Sequence, residues 1–199
     1  MSHVLVGLGI GFAAGSPPFA WLLHAMATGR DLRHEGSGNP GTTNLARSLG
    51  VAWALAALAL EAGKGAAAVG LARWLAGEGA AVPGALGAVI GHVVSPWLAG
   101  RGGKGVATAA GAYLVVAPWA AAAAIAVFTG VLAITRFVSL SSVIAAATLP
   151  LVAWLLGYGA VCSAGAAAIA LLIAWRHTSN FARMRLGTEP RLGRETRRR

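Results

Sequence analysis

The sequence predicts an all-α integral membrane protein: a seven-helix transmembrane bundle, N-terminus outside and C-terminus inside, with short broken helices around Pro118. Three observations predict it. Of 199 residues, 57% are hydrophobic and 11% charged, and the mean hydropathy is +0.69; all three are outside the range of an ordinary soluble domain. The apolar residues fall in long blocks separated by short polar stretches. The basic residues crowd into some of those stretches and avoid others, which orients the blocks across a bilayer. One membrane-embedded domain, 1–199, with a basic tail at 181–199, accounts for the chain.

The first block is 4–26. A small-residue stretch at 25–27 imitates a signal cleavage site, but no Lys or Arg precedes the apolar run and Ser16-Pro17-Pro18 interrupts it, so it reads as a retained span. Blocks at 51–76 and 82–98 follow, then a long run over 106–134, then 142–157 and 162–175. Taken as one helix, the long run gives six spans and sets the C-terminal segment opposite the basic stretches around Arg30, Arg33 and Arg47 and around Arg101 and Lys104. Charge argues against that: residues 176–199 carry eight arginines, whereas 77–81 and 158–161 carry no Lys or Arg. A reversal at Pro118, which breaks a helix, gives seven spans and puts every basic segment inside. The half at 106–117 is then about 18 Å long, short for a full crossing and expected to be partly re-entrant or enclosed by other helices. Gly7-Gly11-Gly15 and Gly87-Gly91 have the small-xxx-small spacing that lets helix backbones approach. Four polar segments share the inner face: 28–50, 100–105, 135–141 and 176 onward.

The most informative of them contains GSGNPGTTN, 36–44. Its start fits G-x-G-x-x-G, but a dinucleotide turn needs a strand before it inside a βαβ unit, and here a membrane helix precedes. The physical content survives. Gly36, Gly38 and Gly41 let backbone N–H groups approach an anion, Asn39 or Thr42 is placed to cap a short helix through Asn44, and Arg47 adds a forked cation. GRGGKGVAT, 100–108, is not a P-loop: Gly105 follows Lys104 where Ser or Thr is required, and no glycine lies five residues before Gly103. It remains a cationic glycine loop opening a helix. TRFVSLSS, 135–142, places hydroxyls at another helix start. In RHTSN, 176–180, His177 and Asn180 are three apart and share a face if the last helix continues. Together these segments imply a pocket for phosphorylated ligands. Within the spans, Glu61 and Lys64 are placed to pair, and His92 to bond between helices. The tail ending in Arg197-Arg198-Arg199 reads as lying on anionic headgroups rather than on nucleic acid. Cys162 is a lone cysteine, and no Cys/His cluster has zinc spacing.

These stretches resemble the bacterial acyl-phosphate:glycerol-3-phosphate acyltransferase family, PlsY. The match is carried by GSGNPGTTNLARSLG (36–50), GHVVSPWLAGRGGKGVAT (91–108), TRFVSLSS (135–142) and RHTSNFARMRLGTE (176–189). Glu61 stands where many members have aspartate. The resemblance implies a seven-helix inner-membrane enzyme that moves a fatty acyl group from acyl phosphate to the 1-hydroxyl of glycerol 3-phosphate, the first step of phospholipid synthesis. It implies Ser37, Arg47, Lys104, His177 and Asn180 as contacts of glycerol 3-phosphate. Thr43 and Ser142, with N–H groups of Gly38, Asn39 and Gly41, are implied partners of the acyl-phosphate group, and Asn44 belongs to the same binding segment. Arg47, Lys104 and His177 would carry the catalysis.

The bare residues suit that chemistry. Acyl phosphate is an activated anhydride and both substrates are anions, so neutralising charge and positioning the reactants does most of what is needed; positioning alone can lower a barrier by about 7–11 kcal/mol. Neither H-x-x-x-x-D nor G-x-S-x-G occurs, so no covalent acyl-enzyme, cofactor or metal is expected. The attacking hydroxyl's proton can pass to a substrate phosphate oxygen, with His177 as the alternative base. Membrane lipids and the enzyme that makes acyl phosphate are the expected partners. The competing class is a transporter or channel for a phosphorylated solute, which would be expected to show internal repeats and polar residues at both faces. A structural scaffold would leave the glycine segments unexplained.

Overall fold

A computed structural model describes residues 2–193. Its α-helices are α1 Ser2–Gly15, α2 Phe19–Thr28, α3 Thr42–Leu49, α4 Val51–Ala76, α5 Ala81–Val93, α6 Val106–Val116, α7 Pro118–Thr135, α8 Val138–Leu155, α9 Ala160–Arg176 and α10 Thr178–Arg185. Short 3-10 turns lie at Leu32–His34, Glu78–Ala80 and Pro96–Leu98, and there is no strand among the described residues. Each apolar block of the sequence is a helix or a broken pair. Ser16-Pro17-Pro18 separates α1 from α2, and Pro118 is the first residue of α7, where its missing N–H is harmless. The arginines at 194 and 197–199, expected on lipid headgroups, lie outside the described residues.

The chain divides between Val116 and Ala117 into two compact units. In the first, α1 packs along α5 and α4 along α6. The contact of α1 with α5 runs through the glycines that the spacing singled out. A Cβ on Gly11 would meet the Gly84 carbonyl oxygen, on Gly15 that of Ala88, on Gly87 that of Leu8 and on Gly91 that of Phe12. Backbone cannot move aside as a side-chain tip can. Gly87→Val is therefore expected to cost about 1–3 kcal/mol or more, whereas Gly9→Val, with nothing within 4 Å of its Cβ, should stay within about 0.5 kcal/mol. Thermal unfolding of both variants in detergent checks the contrast. A second close approach joins α4 to α6, where Gly65 faces the Thr108 carbonyl and Gly111 that of Ala62. Single glycines on two different helices leave no spacing within either helix to read.

In the second unit α7 packs on α8 and α8 on α9, and α10 turns 49° away from α9. Five segments are long and apolar enough to cross a bilayer, and the bent pair α9–α10 makes up to six. The remaining apolar helix, α6, rises only about 16 Å; Thr108, Ala109, Gly111, Ala112 and Tyr113 of it are buried, as expected for a short helix enclosed by protein. One cation escaped the reading of turn charges. Arg73 lies in the last turn of α4 beside the Arg-free turn, where it pairs with Glu78 at 3.1 Å and donates to the Val115 carbonyl at 3.2 Å.

Candidate functional site

The first polar loop is built around Leu32, which is fully buried with Leu45, Ala20 and Ala57 against Trp21 and Leu49. Asp31 is its fastening point. It accepts from Trp21 Nε1 at 2.8 Å, from the Arg33 backbone N–H at 2.8 Å and from Arg33 Nη2 at 2.6 Å. The Arg33 hydrogen bond holds its carboxyl well below the usual carboxylate range. The same guanidinium donates through Nη1 to the Leu98 carbonyl at 3.3 Å. Arg33 thereby ties this loop to the one carrying Lys104.

Asn44 shapes the phosphate-type turn. Its Nδ2 donates to the Leu32 carbonyl at 3.1 Å and to the Glu35 carbonyl at 2.9 Å, and its Oδ1 accepts the Ser37 N–H at 2.9 Å. Gly36 takes φ +53° there, and a Cβ on it would collide with Asn44 Oδ1, so both its conformation and its space require glycine. Asn44 is buried, and its contribution runs through the shape of the loop. Glu35 accepts from Ser48 Oγ at 2.5 Å, and buried His24 places Nε2 3.0 Å from Ser48 Oγ and 3.2 Å from Glu35 Oε2. The Ser48 bond is the main reason the Glu35 carboxyl lies below its usual range.

Two details differ from the sequence reading. Helix α3 starts after Gly41 with no side-chain cap, so neither Asn39 nor Thr42 fills that role. The Gly38 N–H is turned onto the Glu35 carbonyl at 2.9 Å, and Pro40 has no N–H. Leu45 N–H and Asn44 N–H already bond the Gly41 carbonyl at 3.1 and 3.0 Å. Of the amides in this segment, that of Gly38 is thus taken by backbone, whereas those of Gly41, Thr42 and Thr43 open α3. Ser37 is exposed, and Arg47 is exposed in the last turn of α3.

The second loop is equally fixed. Gly100 N–H bonds the Ser95 carbonyl at 2.9 Å, Gly102 N–H bonds the Val93 carbonyl at 3.0 Å, and Ser95 Oγ donates to the Ser16 carbonyl at 2.7 Å. Lys104 stands half-buried two residues before α6. Beneath it, Glu61 and Lys64 form the expected pair at 2.6 Å, and His92 bonds between helices, 2.9 Å from Lys64 Nζ and 3.0 Å from Glu61 Oε2.

In the second unit the last two helices do not continue as one. His177 sits at their bend, and its Nδ1 donates to the Ile173 carbonyl at 2.8 Å. A carbonyl can only accept, so Nδ1 carries the hydrogen. Asn180 N–H bonds the His177 carbonyl at 2.9 Å, and its Nδ2 donates to Glu189 Oε1 at 2.7 Å. Glu189 also accepts from Ser139 Oγ at 2.8 Å and Arg183 Nε at 2.8 Å. Burial alone would raise its carboxyl, but the bonds from Asn180, Ser139 and Arg183 outweigh it and hold it below the usual range. The hydroxyls of 135–142 do not cap α8: Ser141 donates to the Phe137 carbonyl and Ser142 to that of Val138, both at 2.8 Å. To serve a phosphate, the Ser142 hydrogen must leave Val138.

Glu189, Asp31 and Glu35 were missed as organisers. The available signal was scarcity: the chain has six Asp and Glu against sixteen Lys and Arg, so an acid in a basic segment is a natural hub.

Glycine-bound cationic loops fastened to each other beside buried apolar helices define a membrane-embedded, anion-handling protein. The family model described as glycerol-3-phosphate acyltransferase matches residues 5–187, and the chain belongs to that family. It is 42% identical over 193 residues to the glycerol-3-phosphate acyltransferase of Synechococcus sp. strain JA-3-3Ab, covering 97% of this chain and 95% of the relative. It is 39% identical over 193 residues to that of Methylorubrum extorquens strain PA1, covering 96% and 94%. Two solved structures share the fold. They are PlsY (YgiH), an integral membrane glycerol 3-phosphate acyltransferase, in its glycerol 3-phosphate form (TM-score 0.89, 33% identity, 96% of each chain) and in its lysophosphatidic acid form (TM-score 0.86, 32% identity, 96% and 95%). The transporter reading gives way to this family.

Proposed function

We propose that the chain transfers a fatty acyl group from acyl phosphate to the 1-hydroxyl of glycerol 3-phosphate, at the cytoplasmic face of the bacterial inner membrane. The observation that carries this is Arg33, which fastens the loop of Gly36 to Arg47 onto the loop of Lys104. Two cations from separate, rigid loops suit two anionic reactants. The hydroxyl oxygen attacks the acyl carbonyl carbon, the new C–O ester bond forms, and the bond from that carbon to the phosphate oxygen breaks. Lysophosphatidic acid and inorganic phosphate leave, and the hydroxyl proton goes to a phosphate oxygen. Arg47 and Lys104 hold the phosphate charge, and the opening amides of α3 supply further donors. Ser37 and Thr43 are the neighbouring contacts in this unit.

The test is purified protein given palmitoyl phosphate and glycerol 3-phosphate, with phosphate release and lysophosphatidic acid measured together. Turnover is expected with EDTA present. Use of acyl-CoA with neglect of acyl phosphate would overturn the donor assignment. An acyl-phosphate-forming enzyme at the same membrane is the partner this reading requires.

His177 and Asn180 are assigned to glycerol 3-phosphate in positioning roles. The Nδ1 partner is the Ile173 carbonyl rather than the orienting carboxylate of a catalytic triad. His177→Asn is expected to raise the Michaelis constant for glycerol 3-phosphate while keeping substantial turnover. A fall in kcat of about 10²–10⁴-fold at unchanged KM would make it the base.

Seven spans with N-out, C-in orientation belong to the same reading. In a cysteine-free background, Trp119→Cys is expected to react with an impermeant maleimide in intact cells, and Thr188→Cys only after lysis. The reverse pattern would invert the map.

A further inference from the structure

Buried beneath the Lys104 loop are three ionisable side chains that the proposed chemistry does not use. Glu61, Lys64 and His92 are 1%, 6% and 6% exposed. Charge at such depth is costly and persists only where it is partnered. Here the partners are mutual. Lys64 Nζ lies 2.6 Å from Glu61 Oε2 and 2.9 Å from His92 Nδ1, and Glu61 Oε2 lies 3.0 Å from that same Nδ1. Both outer members also hold backbone: Lys64 donates to the Pro17 carbonyl at 2.5 Å, and Glu61 Oε1 accepts the Ala20 N–H at 3.3 Å in the first turn of α2.

The imidazole is thus gripped at one edge, and its other edge faces the loop. A Cβ on Gly103 would run into His92 Nε2, with Cε1 next at 2.9 Å, and a Cβ on Gly102 would run into the His92 carbonyl oxygen. The ring is the floor on which the residue before Lys104 rests.

We infer that His92 is a positioning residue for Lys104: Glu61 and Lys64 fix its ring, and the ring fixes the height of the Gly102-Gly103-Lys104 backbone. The inference rests on the reading of Lys104 as a substrate cation. It explains why these glycines lack side chains, which anion binding alone does not. It also gives a buried charged cluster a function beyond satisfying itself. A displacement of about 1 Å at a reacting site can cost about 10²-fold.

A double-mutant cycle tests it. His92→Asn keeps a polar group beside Lys64 and Glu61 but withdraws the ring edge from Gly103. It is expected to melt in detergent near the native temperature and to lower kcat/KM for glycerol 3-phosphate at least tenfold. In a Lys104→Ala background the same change should cost less than threefold, because the residue it positions is gone. A merely structural role would cost equally in both backgrounds. Native kinetics for His92→Asn, or equal losses in both backgrounds, overturn the inference. If His92→Asn does not fold, Gly103→Ala reads the same contact from the loop side, with the same coupling to Lys104 expected and the same equality overturning it. A Lys104→Ala enzyme with normal kinetics would instead sink the assignment of Lys104 itself, an outcome the cycle separates from failure of the His92 coupling.

Discussion

Arg47→Ala and Lys104→Ala should each lower kcat/KM for glycerol 3-phosphate at least tenfold and leave the protein folded. In the proposed site each supplies a full positive charge to a phosphate from a different loop. A charge-assisted hydrogen bond in a shielded site contributes roughly 1.5–3 kcal/mol, which is about 10- to 150-fold. Folding should be spared because the bonds that fasten each loop are made by other residues. The loop of Arg47 is held by Asp31, Asn44 and Glu35, and that of Lys104 by Ser95, Val93 and Arg33. Arg47→Lys should recover only part of the loss, since an ammonium lacks the planar fork of guanidinium. The measurement is steady-state kinetics beside thermal unfolding. Near-normal kinetics in either alanine variant would remove that residue from the site.

Much of this was legible in the sequence because membrane helices advertise themselves. With every backbone polar group satisfied inside the helix, the apolar blocks had to be helices, and the block at 51–76 coincides with α4. The glycines of α1 and α5 were legible too, since spacing within a helix reports a stripe. What escaped was whatever depends on polar partners distant in sequence. The pair Arg33 and Leu98 is 65 residues apart, and no local pattern predicts it; the sequence places His92 to bond between helices, but does not show that its partner is Lys64, 28 residues away. The same holds for hydroxyls. Ser141 and Ser142 lie near a helix start, where caps are common, yet both stand one turn in and bond back to carbonyls four residues earlier, an alternative open to a Ser once a turn precedes it. The acids were the most informative residues and the most easily overlooked. Asp31, Glu61, Glu78 and Glu189 each form an ion pair, and Glu35 lies 3.2 Å from His24 Nε2.

Glu189→Ala should strongly destabilise the second unit. The carboxylate receives three donors, and two of them, on Ser139 and Asn180, belong to buried residues. Leaving a buried donor unsatisfied costs about 1–3 kcal/mol, so the pair sets a loss of roughly 2–6 kcal/mol. Arg183 adds little, because it is more than a third exposed and water screens it. The effect is not only on stability. Glu189 fixes which way the Asn180 amide points, and in the proposed site would set what that side chain can offer glycerol 3-phosphate. The ionised form is what the site holds, which gives a sign to the pH dependence. A carboxyl held below its unfolded value of about 4.3 contributes its full stabilisation above that value. The contribution disappears as pH falls through the lower folded value. Acid should therefore lower the melting temperature of the native protein more than that of Glu189→Gln, which has no proton to gain. Glu189→Gln itself should lie between native and alanine at pH 7, since its amide keeps one acceptor oxygen. An alanine variant that melts with the native protein at neutral pH, or a Gln variant with the native acid dependence, would show that the three bonds do not hold the C-terminal segment.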